Sequence, residues 1–161
     1  MYDLRYGVVA PHPDDEVIGC FTLLRTGSVV YVVYLSEYRG FEESIRRLSE
    51  EYGFEARFGI GSQSLPKVDV LLVPDPTESH PMHRYAYALT RRRSFRYDFV
   101  GYYTTEMDAP YTAVLPRWLA EAKRNVLDTY YAIKSDMWRY EHKYWLFEGI
   151  AVSLLRPWGG V

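Results

Sequence analysis

Two runs in the sequence, residues 28–35 (SVVYVVYL) and 68–73 (VDVLLV), are apolar at nearly every position rather than at every second one. A strand with one face in water alternates apolar and polar residues. One that is apolar throughout must be covered on both faces, the condition of a parallel sheet between helices. A third run, residues 4–10, ends at Pro11. Residues 16–26 and 41–52 read as helices closed by Gly27 and Gly53, followed by helical stretches over 83–93, 116–132 and 135–148. Residues 54–60 and 99–104 read as further strands, and 150–155 as a strand on the sheet edge. This alternation predicts an α/β chain, an open doubly wound (Rossmann-like), mainly parallel sheet with helices on both faces, in one domain spanning residues 1–161. One joint resists that pattern. The link from Ile60 to Val68 is too short for a crossover helix. Either 54–60 lies outside the sheet, or the chain crosses as an extended loop.

Composition narrows the function classes. A chain of 161 residues with 48% apolar content can bury one core but not two. Its formal charge of −2 leaves no global nucleic-acid footprint, and Arg91-Arg92-Arg93 reads as a solvated helix face. Cys20 is the only cysteine, which excludes an internal disulfide and a cysteine-based zinc site. No apolar run approaches the ~18 residues of a membrane span, and the first residues lack a basic-then-apolar signal pattern, so a cytoplasmic location is expected. Amides are scarce, with Asn125 and Gln63 alone, while Arg, Glu and Tyr are plentiful, the compositional drift of thermophile proteins.

Three of the four histidines fall in two short clusters, each just past the C-terminal end of an expected strand. His12-Pro13-Asp14-Asp15-Glu16 follows the first strand, and Thr77-Glu78-Ser79-His80-Pro81-Met82-His83 follows the 68–73 strand. Open α/β sheets bind ligands beyond the carboxyl ends of their strands, where the strand order reverses. If these two strands are neighbours there, both clusters meet in one crevice. His12 and Asp15 lie three residues apart, so one turn can aim both the same way. A third ligand, His80 or His83, would complete a nitrogen and oxygen set with an open position, the arrangement of catalytic zinc. Asp14 beside that position could take a proton from a water acidified by the ion, and the spare histidine could hold an oxyanion. The competing reading makes 12–16 a turn in which Asp14 or Asp15 caps the next helix. His142, between Glu141 and Lys143, reads as a surface residue.

At these residues the chain resembles the PIG-L-type (LmbE-like) zinc deacetylases, which remove acetyl groups from N-acetylglucosamine-containing substrates. The likeness rests on Val8-Val9-Ala10-Pro11-His12-Pro13-Asp14-Asp15-Glu16-Val17-Ile18-Gly19, similar to the family's apolar strand followed by His-Pro-Asp-Asp-Glu and a glycine. His80-Pro81-Met82-His83 is similar to its His-Pro-Asp-His. Arg39-Gly40-Phe41-Glu42 and the stretch from Lys123 to Tyr131 extend the likeness more weakly. The resemblance implies one Zn2+ on His12, Asp15 and His83, with Asp14 as general base and His80 as acid or oxyanion stabiliser. It implies Arg39 as a contact to the sugar or an attached anionic group; an ion pair with Glu42 or Glu43 is the alternative. Fe(II) or Co(II) would suit the same donors.

Two departures bear on this expectation. Met82 stands where the family has aspartate, which favours a metal- or sugar-binding module without catalysis as the rival reading. The chain is also shorter than is typical of that family. Part of the pocket wall is therefore expected from a neighbouring copy in a homo-oligomer or from Tyr102, Tyr103 and the Tyr111 loop. An amide hydrolase for another N-acyl metabolite is the nearest enzymatic alternative. A nucleotide site fits poorly, because no Gly-x-Gly-x-x-Gly follows the first strand.

Overall fold

Seven strands form one open sheet in the computed structural model, which describes residues 3–59, 65–93, 98–104 and 109–152. The strands are β1 (Arg5–Ala10), β2 (Val29–Tyr34), β3 (Glu55–Phe58), β4 (Val70–Pro74), β5 (Asp98–Tyr103), β6 (Tyr111–Val114) and β7 (Phe147–Val152). Their spatial order is β3-β2-β1-β4-β5-β7-β6. The first five run parallel, and β7 is antiparallel to both β5 and β6. The helices are α1 (Asp15–Leu24), α2 (Glu42–Tyr52), α3 (Pro81–Arg93), α4 (Arg117–Tyr130) and the short α5 (Lys143–Leu146), with a 3-10 segment over Ala132–Met137. No helix among the described residues is long and apolar enough to cross a membrane.

The continuous apolar strands are covered on both faces, as their composition requires. Val8, Ala10, Val32, Tyr34 and Leu72 pack with Phe21 of α1, Ile45 and Leu48 of α2 and Leu127 of α4. The alternate positions Val9, Leu71 and Val73 pack with Ala86 of α3 in a second cluster. Successive strand residues face opposite sides, so the two clusters are the two sides of the sheet. Cys20 is a buried free thiol in the first.

One side of the open joint is decided: the 54–60 stretch does not lie outside the sheet. Residues 55–58 do form a strand, paired in parallel with β2 at the sheet edge, and the chain then passes β2 and β1 to reach β4. Crossing three spacings of ~4.8 Å while returning along one strand length is a path of roughly 22 Å. Residues 59–69 can span up to ~36 Å when extended, enough for that path, and residues 60–64 of the link lie outside the described residues.

The C-terminal part differs from expectation. The helix expected over 135–148 is replaced by the 3-10 segment and the four-residue α5. Tertiary anchoring overrides the helical pattern: Trp138 is buried and its Nε1 donates to Asp128 Oδ1 of α4 at 2.9 Å, folding the chain back early. The final strand begins at Phe147 and is not an edge strand, since β6 lies outside it. Residues 153–155 of the expected run lie outside the described residues. β6 itself gave no sequence signal because all four of its residues are exposed. At the C-terminal end of α3, Arg92 is exposed as expected for a solvated face, while Arg91 Nη1 donates to Tyr87 Oη at 3.3 Å. His142 is exposed beside Trp145.

Candidate metal centre

β1 and β4 pair directly, and they are where the strand order reverses, β2 and β3 extending one way and β5 the other. Their C-terminal loops therefore open into one crevice. His12 leaves the end of β1. His83 sits in the first turn of α3, whose first residue is Pro81, a position where the missing amide N–H costs nothing. The two histidine rings are 5.4 Å apart between centroids, and His80 lies 4.8 Å from His12 and 4.9 Å from His83. His12, His80 and His83 form a group able to hold a metal ion, with one ring nitrogen of each within 4.8 Å of the others.

Asp15 lies among them. Its Oδ2 accepts the His12 backbone N–H at 2.9 Å and lies 3.3 Å from both His12 Nδ1 and His83 Nε2. Tetrahedral donors at ~2.0–2.1 Å from an ion stand about 3.4 Å apart, close to the spacing of Asp15 Oδ2 from each of these two histidine nitrogens. Behind His83, its Nδ1 faces Glu78 Oε2 at 3.6 Å and Thr104 Oγ1 at 3.3 Å. The Thr104 backbone N–H in turn donates to Glu78 Oε1. A carboxylate behind a histidine fixes which ring nitrogen is offered forward, as around metal-bound histidines generally. The residues present fit a divalent ion.

The electrostatics follow from burial and from these contacts. Burial opposes ionisation of Asp15, yet hydrogen bonds from His12 and His83 hold its carboxyl well below the usual range. Burial likewise disfavours charge on His83, but Asp15 and then Glu78 raise it to about 10. A metal ion must displace that proton. Burial and then the neighbouring Asp15 charge push Asp14 up, against the pull of Lys134. Glu16 is pushed up to about 7 by burial despite the hydrogen bond from Tyr131 Oη. His80 is lowered by partial burial and by His83 and His12.

Asp14 is not a helix cap. It occupies the position before α1 but its side chain makes no capping hydrogen bond, and its φ of 113° lies in the left-handed region that non-glycine residues avoid. Glu16 Oε2 accepts the Asp14 N–H instead, at 3.0 Å. The Asp14 carboxylate faces a cavity of about 260 Å3 with His12, Asp15, His80 and His83. Ile18, Met137 and Tyr144 give this cavity an apolar side, and Glu37 stands on its wall. Met82, in place of the expected aspartate, donates its backbone N–H to His80 Nδ1 at 3.2 Å.

Arg39 stands apart. It is exposed in the loop after β2 and does not line the cavity, while Glu37 of the same loop does. Glu42 accepts the Gly40 N–H and Glu43 pairs with Arg46. Tyr102 is wholly buried and its Oη donates to Val9 O at 2.6 Å, and Tyr103 Oη meets Thr77 Oγ1 at 3.2 Å, so both pack rather than line the cavity.

Three contributors were not singled out from the sequence. Glu78 stands inside the second cluster, two residues before His80, but was given no role there, and Thr104 comes from a segment with no metal-like spacing. Lys134, whose Nζ is 3.1 Å from Asp14 Oδ2, reaches the site from 120 residues away in the chain. Only the fold could bring these in. No family model, curated protein or solved structure matches the chain.

Proposed function

We propose that this chain is a metal-dependent hydrolase that removes an acetyl group from an N-acetylated sugar, in the manner of the PIG-L-type enzymes it resembles. The observation that carries this reading is the Asp14 carboxylate, buried, free of any capping role and facing the same cavity as His12, Asp15 and His83. The strand order β3-β2-β1-β4-β5 supports placing the sheet in the doubly wound, Rossmann-like class.

His12, Asp15 and His83 are the proposed ligands for one zinc ion. When bound, the ion supplies Lewis acidity, polarising a carbonyl and lowering the pKa of a water toward ~7. Asp14 accepts the proton of the attacking water, a task favoured by a carboxyl whose burial and Asp15 neighbour raise it above the ordinary carboxylate range. His80 accepts the Met82 N–H at Nδ1, which leaves its proton on Nε2. With its basicity lowered as well, His80 serves as a neutral donor to the developing oxyanion rather than as an imidazolium acid. The backbone of Met82 thus takes over the orienting task that the missing aspartate would perform.

A cavity of about 260 Å3 is just under the ~300–1,000 Å3 of drug-sized ligand sites, which suits one small acylated unit. Its apolar side, from Ile18, Met137 and Tyr144, suits a short acyl group. Arg39, outside the cavity, is proposed as a contact for a substrate group that extends beyond it.

The test is acetate release from a panel of N-acetylated amino sugars by the zinc-loaded protein, by chelator-treated protein and by Asp14→Asn. The expected result is turnover that needs the metal and falls about 10²–10⁴-fold in Asp14→Asn with metal content unchanged. Turnover indifferent to chelation, or equal in Asp14→Asn, would overturn the reading. Metal binding without turnover on the panel would favour the non-catalytic module.

A further inference from the structure

Lys134 lies outside both histidine clusters, yet it reaches the most strained residue of the site. Its Nζ donates to Pro13 O at 2.6 Å and to Asp14 Oδ2 at 3.1 Å, and it stands 5.6 Å from the Phe41 ring centroid. One ammonium group therefore grips both ends of a single residue, the carbonyl before Asp14 and the carboxylate of Asp14 itself. That residue is the one with φ of 113°. A non-glycine residue holds such a conformation only when its surroundings over-determine it.

The other constraints on Asp14 act elsewhere. Its N–H is held by Glu16 Oε2, and its carbonyl accepts the N–H groups of Val17 and Ile18 at 2.9 and 2.8 Å as α1 begins. None of these fixes the carboxylate. Among the described residues, Lys134 is the hydrogen-bond donor to the Asp14 side chain. It comes from the 3-10 segment that also supplies Met137 to the cavity wall.

We infer that Lys134 is a positioning residue that holds Asp14 in its left-handed conformation and keeps its carboxylate turned into the cavity. One oxygen, Oδ2, is engaged by the ammonium group, which leaves Oδ1 to face an incoming proton. The side chain is only 18% exposed, and its grip ties the 3-10 segment to the loop after β1. The catalytic consequence rests on the hydrolase reading, whereas the conformational one does not.

The experiment compares Lys134→Met and Lys134→Arg with the unchanged protein, each zinc-loaded. Crystal structures of the two variants read the Asp14 backbone directly. The expected result is a negative φ at Asp14 in Lys134→Met and retention of the positive φ in Lys134→Arg. A positive φ with an unmoved carboxylate in Lys134→Met overturns the inference, whatever the activity. If Lys134→Met fails to fold, Lys134→Gln, which keeps a donor for Pro13 O but loses the charge, is read by the same criteria. In steady-state kinetics on the best N-acetyl substrate, kcat is expected to fall at least tenfold in Lys134→Met with KM within twofold and metal content unchanged. Lys134→Arg is expected to recover most of it. A loss carried by KM or by metal content would show a role in binding or in the metal site and overturn the positioning role. Absence of acetate release from the unchanged protein would count against the hydrolase reading and leave the crystallographic outcome to decide on Lys134.

Discussion

Glu16 shows how closely the site's chemistry is tied to stability. Its carboxyl is wholly buried, accepts hydrogen bonds from the Asp14 N–H and from Tyr131 Oη, and is pushed up to about 7 by burial. The unfolded chain ionises this group near 4.5, so between that pH and 7 the native state binds the extra proton. Stability from this group is therefore fully present below about 4.5 and falls as pH rises to 7, by up to about 3 kcal/mol. Glu16→Gln removes the titration. Urea midpoints of metal-free protein at pH 5 and pH 8 should show the variant gaining on the unchanged protein at the higher pH, and parallel pH dependences would refute this. Gly19 offers a second check at the same scale. A Cβ placed there would overlap the ring of Tyr102, which is fixed by its hydrogen bond to Val9 O. Gly19→Ala should cost roughly 1–3 kcal/mol through overpacking, measured as a lower urea midpoint with unchanged slope. That His12, Asp14, Asp15, His80 and His83 meet in one crevice was legible because local spacing and strand ends reveal it. Glu78, Thr104 and Lys134 were not, since a residue that supports another through tertiary contact leaves no periodic trace.

At the scale of elements, α4 is fastened to the sheet by an unusual device. Lys123 is fully buried, donates to Ile18 O of α1 and to Phe147 O of β7, and lies 3.5 Å from Glu148. Replacing it with alanine leaves two carbonyls and a nearly buried carboxylate without their cation. Losses of about 3–5 kcal/mol are typical of such broken pairs. Lys123→Ala should show this in denaturant melts, whereas the exposed Arg117–Glu121 pair of the same helix, within the ~0–1 kcal/mol of surface pairs, should be nearly silent when Arg117 is removed. Lys123, through Ile18 O, and Tyr131, through Glu16, brace the site from behind. The parallel strands could be read from composition because burial on both faces forces continuous apolar runs. The β6 strand and the break at Trp138 could not, because exposure erases alternation in one and a single long-range hydrogen bond decides the other.

For the whole molecule, an ion bound at the proposed site would link folding to binding. The cluster of His12, Asp15, His80 and His83 draws on β1, α1 and the start of α3, so only the folded chain assembles it. An ion that binds the native state alone adds about 2.7 kcal/mol at a hundredfold excess over its dissociation constant. For a chain of this length that is a rise in Tm of roughly 5–10 °C. Calorimetry with and without zinc should show it, with Asp15→Ala abolishing the rise and His80→Ala retaining it. The opposite pattern would assign the ion to the three histidines instead. Because Asp15 and Glu78 raise His83 to about 10 against its burial, binding at that histidine should release protons into an unbuffered solution.

The position of β7 carries one more consequence. It is the last described strand to be synthesised, yet it is inserted between two earlier ones, β5 and β6. While the chain emerges from the ribosome, β1 to β5 can assemble in order, but β5 then waits with an open flank and β6 has no neighbour at all. Glu148, which accepts the Thr22 N–H of α1 and faces Lys123, arrives with the same strand. The wall of the cavity contributed by Tyr144 immediately precedes it. A nascent chain stopped short of Phe147 would hold both histidine clusters and still lack the strand that joins β5 to β6, so the far side of the sheet can be completed only after the residues that define the site's chemistry have been made.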